Sequence, residues 1–197
     1  FATACPTKPY PIIPIIKPYL RYELQALYTH YILIASVIMV SMFMKVAITG
    51  HTGEIGTPLA EAFEQAGHEV VGISRTLGFD LTTEIGQLKA AQAIKECDVF
   101  VNLAWPPAQA KMLEYVWKLW EGDRSKLIIN IGTMNTIKPS LMITDIPYYK
   151  IKKELDNKHW QLIDQGHYPK ITLARAARGV DEDDYVGWSK FLVDLVG

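Results

Sequence analysis

Residues 45–56, KVAITGHTGEIG, constrain the fold of this 197-residue chain more than any other stretch. A short apolar run opens it and predicts a buried parallel strand, and three glycines at even spacing follow, Gly50, Gly53 and Gly56. Apolar residues then recur at helical spacing, at Leu59, Ala60, Phe63 and Ala66. A strand, a glycine turn and a helix in this order are what a phosphate-binding turn requires.

Each glycine has its own role in such a turn. Gly50 lets the chain turn tightly, Gly53 leaves room for a pyrophosphate at the backbone, and Gly56 lets the helix pack close to the strand. The helix N-terminus then offers unpaired N–H groups and a positive dipole end. We therefore predict a cofactor-binding turn. The alternative interpretation is an ordinary tight turn without a ligand. Its residues are Gly50, His51, Thr52, Gly53, Glu54 and Ile55.

Composition predicts one soluble, cytoplasmic globular domain. The net charge of −1 gives no electrostatic reason to expect nucleic acid as a partner. The two cysteines, Cys5 and Cys97, suggest neither a disulfide framework nor a zinc site, and no Cys/His cluster has metal-ligand spacing. We therefore expect no bound metal.

The first 43 residues differ from the rest of the chain. Five prolines lie within residues 1–22, and no Asp, Glu, Lys or Arg occurs from Ala26 to Met44. Three interpretations stay open: a membrane anchor, a stretch that is not native structure, or a segment that packs on the domain or a second subunit. The positive-inside rule would place the following domain outside the cytoplasm, which disfavours the anchor. We take residues 44–197 as the working domain.

The residues after the second predicted strand, 69–74, concern cofactor choice. An acidic residue there would accept a hydrogen bond from the ribose 2′-hydroxyl and repel a 2′-phosphate, but this chain has Ser74, Arg75 and Thr76. A guanidinium with two hydroxyls suits a 2′-phosphate and predicts NADP rather than NAD. The alternative is a solvated surface arginine.

Asp80 has two possible roles in an extended piece that includes Leu81. Its carboxylate could accept a hydrogen bond from the adenine amino group, or it could cap the helix that starts near Thr82–Glu84. That helix is predicted to bury one side, made of Ile85, Leu88, Ala91 and Ile94.

Apolar runs continue to alternate with helical patterns along the chain. They predict strands over 98–104, 127–133 and 170–175, and helices over 107–120, 148–165 and 183–196. Ligands bind at the carboxyl ends of parallel strands, so the end of the 98–104 strand should lie beside the glycine turn. We predict cofactor contacts there, from Asn102, Leu103 and Ala104. The loop 134–147 is the candidate substrate loop.

Two Tyr/Lys pairs begin the helix 148–165. Tyr148 with Lys152, and Tyr149 with Lys153, are each four residues apart and so share a helix face. A lysine ammonium beside a phenol favours the phenolate, which allows proton exchange with a carbonyl or alcohol near neutral pH. We prefer Tyr148 with Lys152, because Ile151 and Leu155 beside them would anchor that helix face against the sheet. The other pair shares its side with Asp156, and we expect that side to be more solvated. A nearby hydroxyl, Thr133, could hold the substrate oxygen.

Taken together, these stretches resemble a short-chain dehydrogenase/reductase. The matched residues are TGHTGEIG at 49–56, ISRT at 73–76, Asp80, DVFVNLA at 98–104, INIGT at 129–133 and YYKIK at 148–152. The resemblance implies an NAD(P)-binding Rossmann fold, a doubly wound parallel sheet in three α/β/α layers with strand order 3-2-1-4-5-6, in dimers or tetramers. It also implies that Thr133 stands at the usual Ser position, that Tyr148 is the acid/base, and that Lys152 holds the nicotinamide ribose and tunes Tyr148.

The chain departs from that family's pattern at several places. The glycine spacing is that of extended or atypical branches, and residues 103–105, Leu-Ala-Trp, replace the usual Asn-Ala-Gly. Residues 175–177, Arg-Ala-Ala, stand where Pro-Gly is usual, helix 107–120 has no Asn, and few residues follow Gly179. We therefore carry two hypotheses: an NADP-dependent oxidoreductase acting on a carbonyl/alcohol pair, and an NAD(P)-binding regulator or partner protein with weak or no turnover.

Overall fold

Five parallel strands form the centre of the fold. A computed structural model describes residues 43–104, 107–137, 146–166, 168–176 and 182–196. The strands lie side by side in the order β2-β1-β3-β4-β5, and each neighbouring pair is parallel. They are β1 (Lys45–Thr49), β2 (Glu69–Ile73), β3 (Val99–Asn102), β4 (Leu127–Thr133) and β5 (Lys170–Ala176).

Helices follow the strands, as the alternating pattern predicts. They are α1 (Gly56–Gln65), α2 (Glu84–Ile94), α3 (Ala108–Leu119), α4 (Ile146–Asp164) and α5 (Glu182–Val196). The loop predicted over 134–147 is shorter at both ends, because Met134–Thr136 forms a 3-10 turn and α4 already begins at Ile146. Its residues 138–145 lie outside the described part of the chain. No helix in the described ranges combines the length and the apolar character needed to cross a membrane. The apolar run 26–44, for which a membrane anchor was one of three interpretations, lies almost entirely outside those ranges.

Two apolar cores cover the two faces of the sheet. Because successive side chains of a strand point to opposite faces, Val46 and Ile48 pack with α1 and α5, whereas Ala47 faces α2, α3 and α4. Phe100 and Ile128 continue the second core, which buries Trp117. This arrangement confirms the predicted doubly wound α/β sheet in three layers.

The six-strand order 3-2-1-4-5-6 is wrong for the described residues. The missing element is the extended piece at Phe79–Leu81, which is not a strand. Gly78 is left-handed with φ of +84°, and the Asp80 carboxylate accepts a hydrogen bond from Thr82 N at 3.1 Å, so this piece forms a turn instead. The reversal of strand order beside β1 is retained, because β2 and β3 flank it.

The buried side of α2 also differs from the prediction. Ile94 is buried as predicted, but Ile85 and Leu88 are 70% and 53% exposed, and Gly86 and Ala90 are buried instead. A Cβ at position 86 would overlap the carbonyl of Asp80, so the helix approaches the preceding turn through its glycine. Close packing at one small residue therefore decided the rotation of this helix.

Candidate active site

The glycine turn after β1 has the close backbone approach that the sequence predicts. Gly50 is left-handed with φ of +73°, and its N–H donates to the carbonyl of Ile73 on β2 at 2.8 Å. A Cβ at Gly56 would overlap the carbonyl of Gly50, and one at Gly53 would lie 3.2 Å from that oxygen. Two of these positions, Gly50 and Gly56, thus require a residue without a side chain.

The start of α1 is open to an anion. Ile55 occupies the N-cap position without a side-chain cap, and the residues before it, Thr52, Gly53 and Glu54, are exposed. The ring of His51 lies over β2, where a Cβ at Gly72 would overlap it. A diphosphate therefore fits against the backbone of this turn, which has the uncapped helix end and the glycine cradle that such a group needs.

Thr49 joins the glycine turn to the end of β3. Its hydroxyl donates to the carbonyl of Val101 at 3.3 Å and accepts hydrogen bonds from the N–H groups of Leu103 and Ala104 at 2.9 and 3.0 Å. A Cβ at Gly50 would lie 3.3 Å from Cα of Ala104. The structure thus brings Leu103 and Ala104 beside the turn, as predicted, while Trp105 lies outside the described residues.

Asn102, the third residue predicted here, turns its side chain into the interior. It is fully buried, and its Nδ2 donates to the carbonyl of Gln109 and to Oδ1 of Asn130, both at 2.9 Å. The Asn102 amide therefore braces β3 against α3 and β4. A cofactor contact from this residue would have to come from its backbone.

The residues after β2 form a small polar shelf. The hydroxyls of Ser74 and Thr76 are hydrogen bonded to each other at 2.8 Å, and Arg75 between them is exposed at the start of a 3-10 turn. This surface follows the carboxyl end of β2, next to β1. The placement suits contact with a group bound along that edge of the sheet.

Asp80 does not cap α2. Its Oδ1 accepts hydrogen bonds from the N–H and the hydroxyl of Thr82, and these bonds hold the pKa of the Asp80 carboxyl below its ordinary value. Thr83 is the N-cap instead, with its hydroxyl accepting from Gly86 N at 3.1 Å. The capping alternative is therefore wrong, and the Leu81 side chain packs in the core.

Lys152 is buried below the end of β4. Its Nζ donates to Oε1 of Gln109 at 2.6 Å and to the carbonyl of Ile131 at 2.9 Å, and the residue is only 6% exposed. Burial lowers the pKa of the ammonium to about 8, an effect that the negative charge of Asp156 opposes. The lysine is thus held in place and poised to lose its proton at mildly alkaline pH.

The preferred Tyr/Lys pair shares one face of α4. The Nζ of Lys152 lies 5.9 Å from the centre of the Tyr148 ring, and Tyr148 is half-buried. Thr133 is buried at the end of β4, the strand whose Ile131 carbonyl binds Lys152. The premise that Asp156 is solvated is wrong, since that residue is 2% exposed. Which pair works remains a prediction, although the burial of Lys152 favours Tyr148 with Lys152 over Tyr149 with the half-buried Lys153.

Comparison with known proteins agrees with this geometry. Residues 46–122 match the model of the NAD dependent epimerase/dehydratase family. Among solved structures, a 3-alpha-hydroxysteroid dehydrogenase from Pseudomonas sp. B-0831, complexed with NADH, superposes with a TM-score of 0.60 at 18% identity, over 76% of this chain and 88% of that one. The predicted resemblance to the short-chain dehydrogenases/reductases is confirmed.

Two further solved structures of that group share the fold of this chain. An oxidoreductase from Brucella ovis has a TM-score of 0.55 at 15% identity, over 77% of this chain and 90% of that one. A short-chain dehydrogenase from Streptomyces avermitilis has a TM-score of 0.55 at 16% identity, over 68% and 65%. No curated protein sequence matches the chain. The fold is therefore of the NAD(P)-dependent oxidoreductase/epimerase type.

A buried polar network lies at the end of β3 and was not predicted from the sequence. Gln109 Nε2 donates to the carbonyl of Asn102 at 2.7 Å, and Asn130 Nδ2 lies 3.2 Å from Nδ1 of His159. A signal was present, because Gln109 interrupts an apolar helix face that continues through Met112. Within the described ranges, no group of three or more His, Cys, Asp or Glu side chains could hold a metal ion.

Acid should destabilise the fold through His159. Burial lowers the pKa of its imidazole from the ordinary 6.5 to about 4. Below pH 6.5 the folded state therefore binds fewer protons than the unfolded chain. The stability that neutral His159 provides is complete above pH 6.5 and is lost as the pH falls toward 4. The loss at pH 5 should be about 2 kcal/mol.

Urea unfolding at pH 7 and pH 5 measures this effect. His159→Gln, which cannot titrate, should lose about 2 kcal/mol less than the wild type over the same interval. An exposed carboxylate contributes equally to both proteins and cancels in the comparison. Equal losses for the two proteins would contradict the assignment to His159.

Proposed function

We propose that this protein is an NADP-dependent oxidoreductase that interconverts a carbonyl and an alcohol. The observation that carries the proposal is the buried Lys152, fixed by Gln109 and Ile131 beneath Tyr148. The glycine turn lies at the same edge of the sheet, because β1 and β4 are parallel and both end there. A cofactor site and a proton-exchanging side chain at one edge are the two parts that such a reaction needs.

The cofactor would be held mainly by backbone groups. The N–H groups of the glycine turn and the uncapped start of α1 would bind the diphosphate, with Leu103 and Ala104 beside it. Ser74, Arg75 and Thr76 would bind the 2′-phosphate. When bound, the nicotinamide supplies or accepts the hydride.

The chain itself handles the proton. In reduction, the phenol of Tyr148 would donate a proton to the substrate oxygen, and in oxidation the phenolate would accept one. Lys152, whose Nζ lies 5.9 Å from the centre of the Tyr148 ring, would place a positive charge beside the phenol, and the hydroxyl of Thr133 would orient the substrate oxygen. The loop that follows Thr133 is partly apolar, and its first residue, Met134, is half-buried. This loop supports a substrate with an apolar part.

Calorimetry with NADPH and with NADH tests both the cofactor site and its preference. The wild type should bind NADPH more tightly than NADH. Arg75→Ala should weaken NADPH binding by about 10- to 150-fold, because a charge-assisted hydrogen bond contributes about 1.5–3 kcal/mol, and should leave NADH binding unchanged. The matched control is Arg124→Ala, which removes an arginine from the loop before β4, at the opposite edge of the sheet.

The results separate the alternatives clearly. A similar loss for NADPH and NADH would mean that Arg75 does not contact the 2′-phosphate. If neither cofactor produces heat with folded protein, the cofactor site and the oxidoreductase proposal are both wrong.

A second candidate function is an NAD(P)-binding regulator or partner protein without turnover. It is favoured by the departures from the family pattern at residues 103–105, Leu-Ala-Trp, and at residues 175–177, Arg-Ala-Ala. Tight NADPH binding combined with no NADPH oxidation across a broad panel of aldehydes and ketones would support this candidate over the enzyme.

A further inference from the structure

The inner face of α4 carries a line of buried polar groups. Lys152, Asp156 and His159 lie one helical turn apart, and each is 6% exposed or less. Buried charges usually occur in pairs, since a lone buried charge loses its hydration and has no opposite charge to offset that cost. The pairing within this line therefore determines which charges persist.

Asp156 is paired with an arginine from the last strand. Its Oδ2 accepts a hydrogen bond from Nη2 of Arg175 at 3.0 Å, and the two side chains are 3% and 18% exposed. The pair lies beside Gly132, where a Cβ would be 3.5 Å from Asp156 Oδ1 and 3.4 Å from Arg175 Cγ. Asp156 Oδ1 and Arg175 Nε have no hydrogen-bond partner among the described residues. The carboxylate is thus only partly used by the arginine.

Lys152 is held by neutral groups. Its two hydrogen bonds go to the Gln109 amide from α3 and to the Ile131 carbonyl from β4. Two ionisable side chains of α4 lie near it: Tyr148, whose ring centre is 5.9 Å from Nζ, and Asp156, one helical turn away and paired with Arg175 of β5. His159 lies a further turn along α4, and Asn102 and Asn130, in the network that includes Gln109, are neutral. Among these groups, the carboxylate of Asp156 is the anion that can compensate the ammonium.

We propose that Arg175 holds the Asp156 carboxylate away from Lys152 and thereby controls whether the buried lysine carries a charge. The single Asp156 carboxylate is shared by two cations, so its pairing with Arg175 reduces the charge compensation that it gives to Lys152. Arg175 begins the Arg-Ala-Ala stretch at 175–177, one of the departures from the family pattern. It is a positioning residue: it reaches the site only through Asp156 and Lys152.

The charge balance gives the direction of each substitution. Without Arg175, an ionised Asp156 would have Lys152 as its cation, so the lysine would keep its proton to higher pH. Without the Asp156 carboxylate, Lys152 would be buried beside an unpaired arginine and would lose its proton more readily. The pKa of about 8 for Lys152 agrees with a lysine that is incompletely compensated.

The test is an NMR titration of the side-chain nitrogens in protein labelled with ¹⁵N-lysine, without cofactor or substrate. Arg175→Gln should raise the pKa of Lys152 from about 8 toward its ordinary 10.5. Arg175→Lys retains a cation and should leave it near the wild-type value. Asp156→Asn should lower it, and Lys153, on the neighbouring face, should titrate alike in all variants.

The proposal is overturned if folded Arg175→Gln titrates like the wild type or at lower pH, or if Arg175→Lys shifts the lysine as far as Arg175→Gln does. Should Arg175→Gln fail to fold, Asp156→Asn decides, because an unchanged Lys152 in that variant also overturns the proposal. The charge coupling between Arg175, Asp156 and Lys152 does not depend on the proposed function; only its effect on turnover rests on that function. If the lysine responds as expected and no cofactor binds, the function fails while the charge coupling stands.

Discussion

Tyr148→Phe should lower kcat for NADPH-dependent carbonyl reduction by a factor on the order of 10²–10⁴, the usual contribution of a general acid. The affinity for NADPH should stay at the wild-type value, because the proposed cofactor contacts come from the glycine turn and the shelf after β2. The substitution removes one hydroxyl from a half-buried ring and keeps its packing. Steady-state kinetics together with calorimetry of NADPH binding measure the two effects separately.

The matched control is Tyr149→Phe, which removes the same hydroxyl from the next residue of the same helix. This variant should retain turnover within a factor of about 2–3, as expected of a side chain outside the proton transfer. If Tyr149→Phe is inactive and Tyr148→Phe is active, the working pair is Tyr149 with Lys153. If both variants keep full turnover, neither phenol is the acid.

Gly56→Ala should abolish NADPH binding and destabilise the fold by about 3 kcal/mol or more, which places it in the severe range for a single substitution. The added Cβ would overlap the backbone carbonyl of Gly50 and lie 2.7 Å from Cα of His51. Backbone cannot move aside as the end of a flexible side chain can, so either α1 shifts from the sheet or the turn opens. Urea unfolding and calorimetry with NADPH measure the two consequences.

Gly187→Ala is the control for the glycine substitution. Gly187 lies within α5, and a Cβ added there meets no atom within 4 Å. Because alanine favours helix over glycine, this variant should be more stable by up to about 1 kcal/mol and should bind NADPH normally. A Gly56→Ala protein as stable as the wild type, with unchanged NADPH affinity, would show that the close approach is not needed.

The proposed charge coupling also predicts how turnover depends on pH. If turnover requires the charge of Lys152, activity should decline as the pH rises through about 8. Arg175→Gln should move that decline to higher pH. The titration of Lys152 and the activity profile would then report the same group by two independent measurements.

The features that the sequence predicted well depend on neighbours along the chain. The glycine turn, the alternating strands and helices and the doubly wound class follow from residue spacing, because a 2-residue or 3.6-residue period directly sets which side chains share a face. The place of Leu103 and Ala104 beside Gly50 followed from parallel strands ending at one edge. The motifs also sufficed for the family resemblance, which the comparisons confirm.

The predictions that failed concern choices between faces and partners. Periodicity offered Ile85 and Leu88 as the buried side of α2, but the contact of Gly86 with the Asp80 turn rotated them into solvent. Asp156 appeared solvated because a carboxylate is usually exposed, and only its pairing with Arg175 accounts for its burial. Capping of α2 was one of two roles left open for Asp80, and it is excluded because Thr83 directly precedes the helix.

The sequence by itself thus determined the nucleotide-type turn, the order of the elements and the Tyr/Lys pairs. Tertiary structure alone decided which lysine is buried and what holds it. The partner of Lys152 is Gln109, 43 residues earlier in the chain, and the partner of Asp156 is on another strand. Such contacts are set by the lateral order of the strands and the approach of the helices, which leave no local period in the sequence.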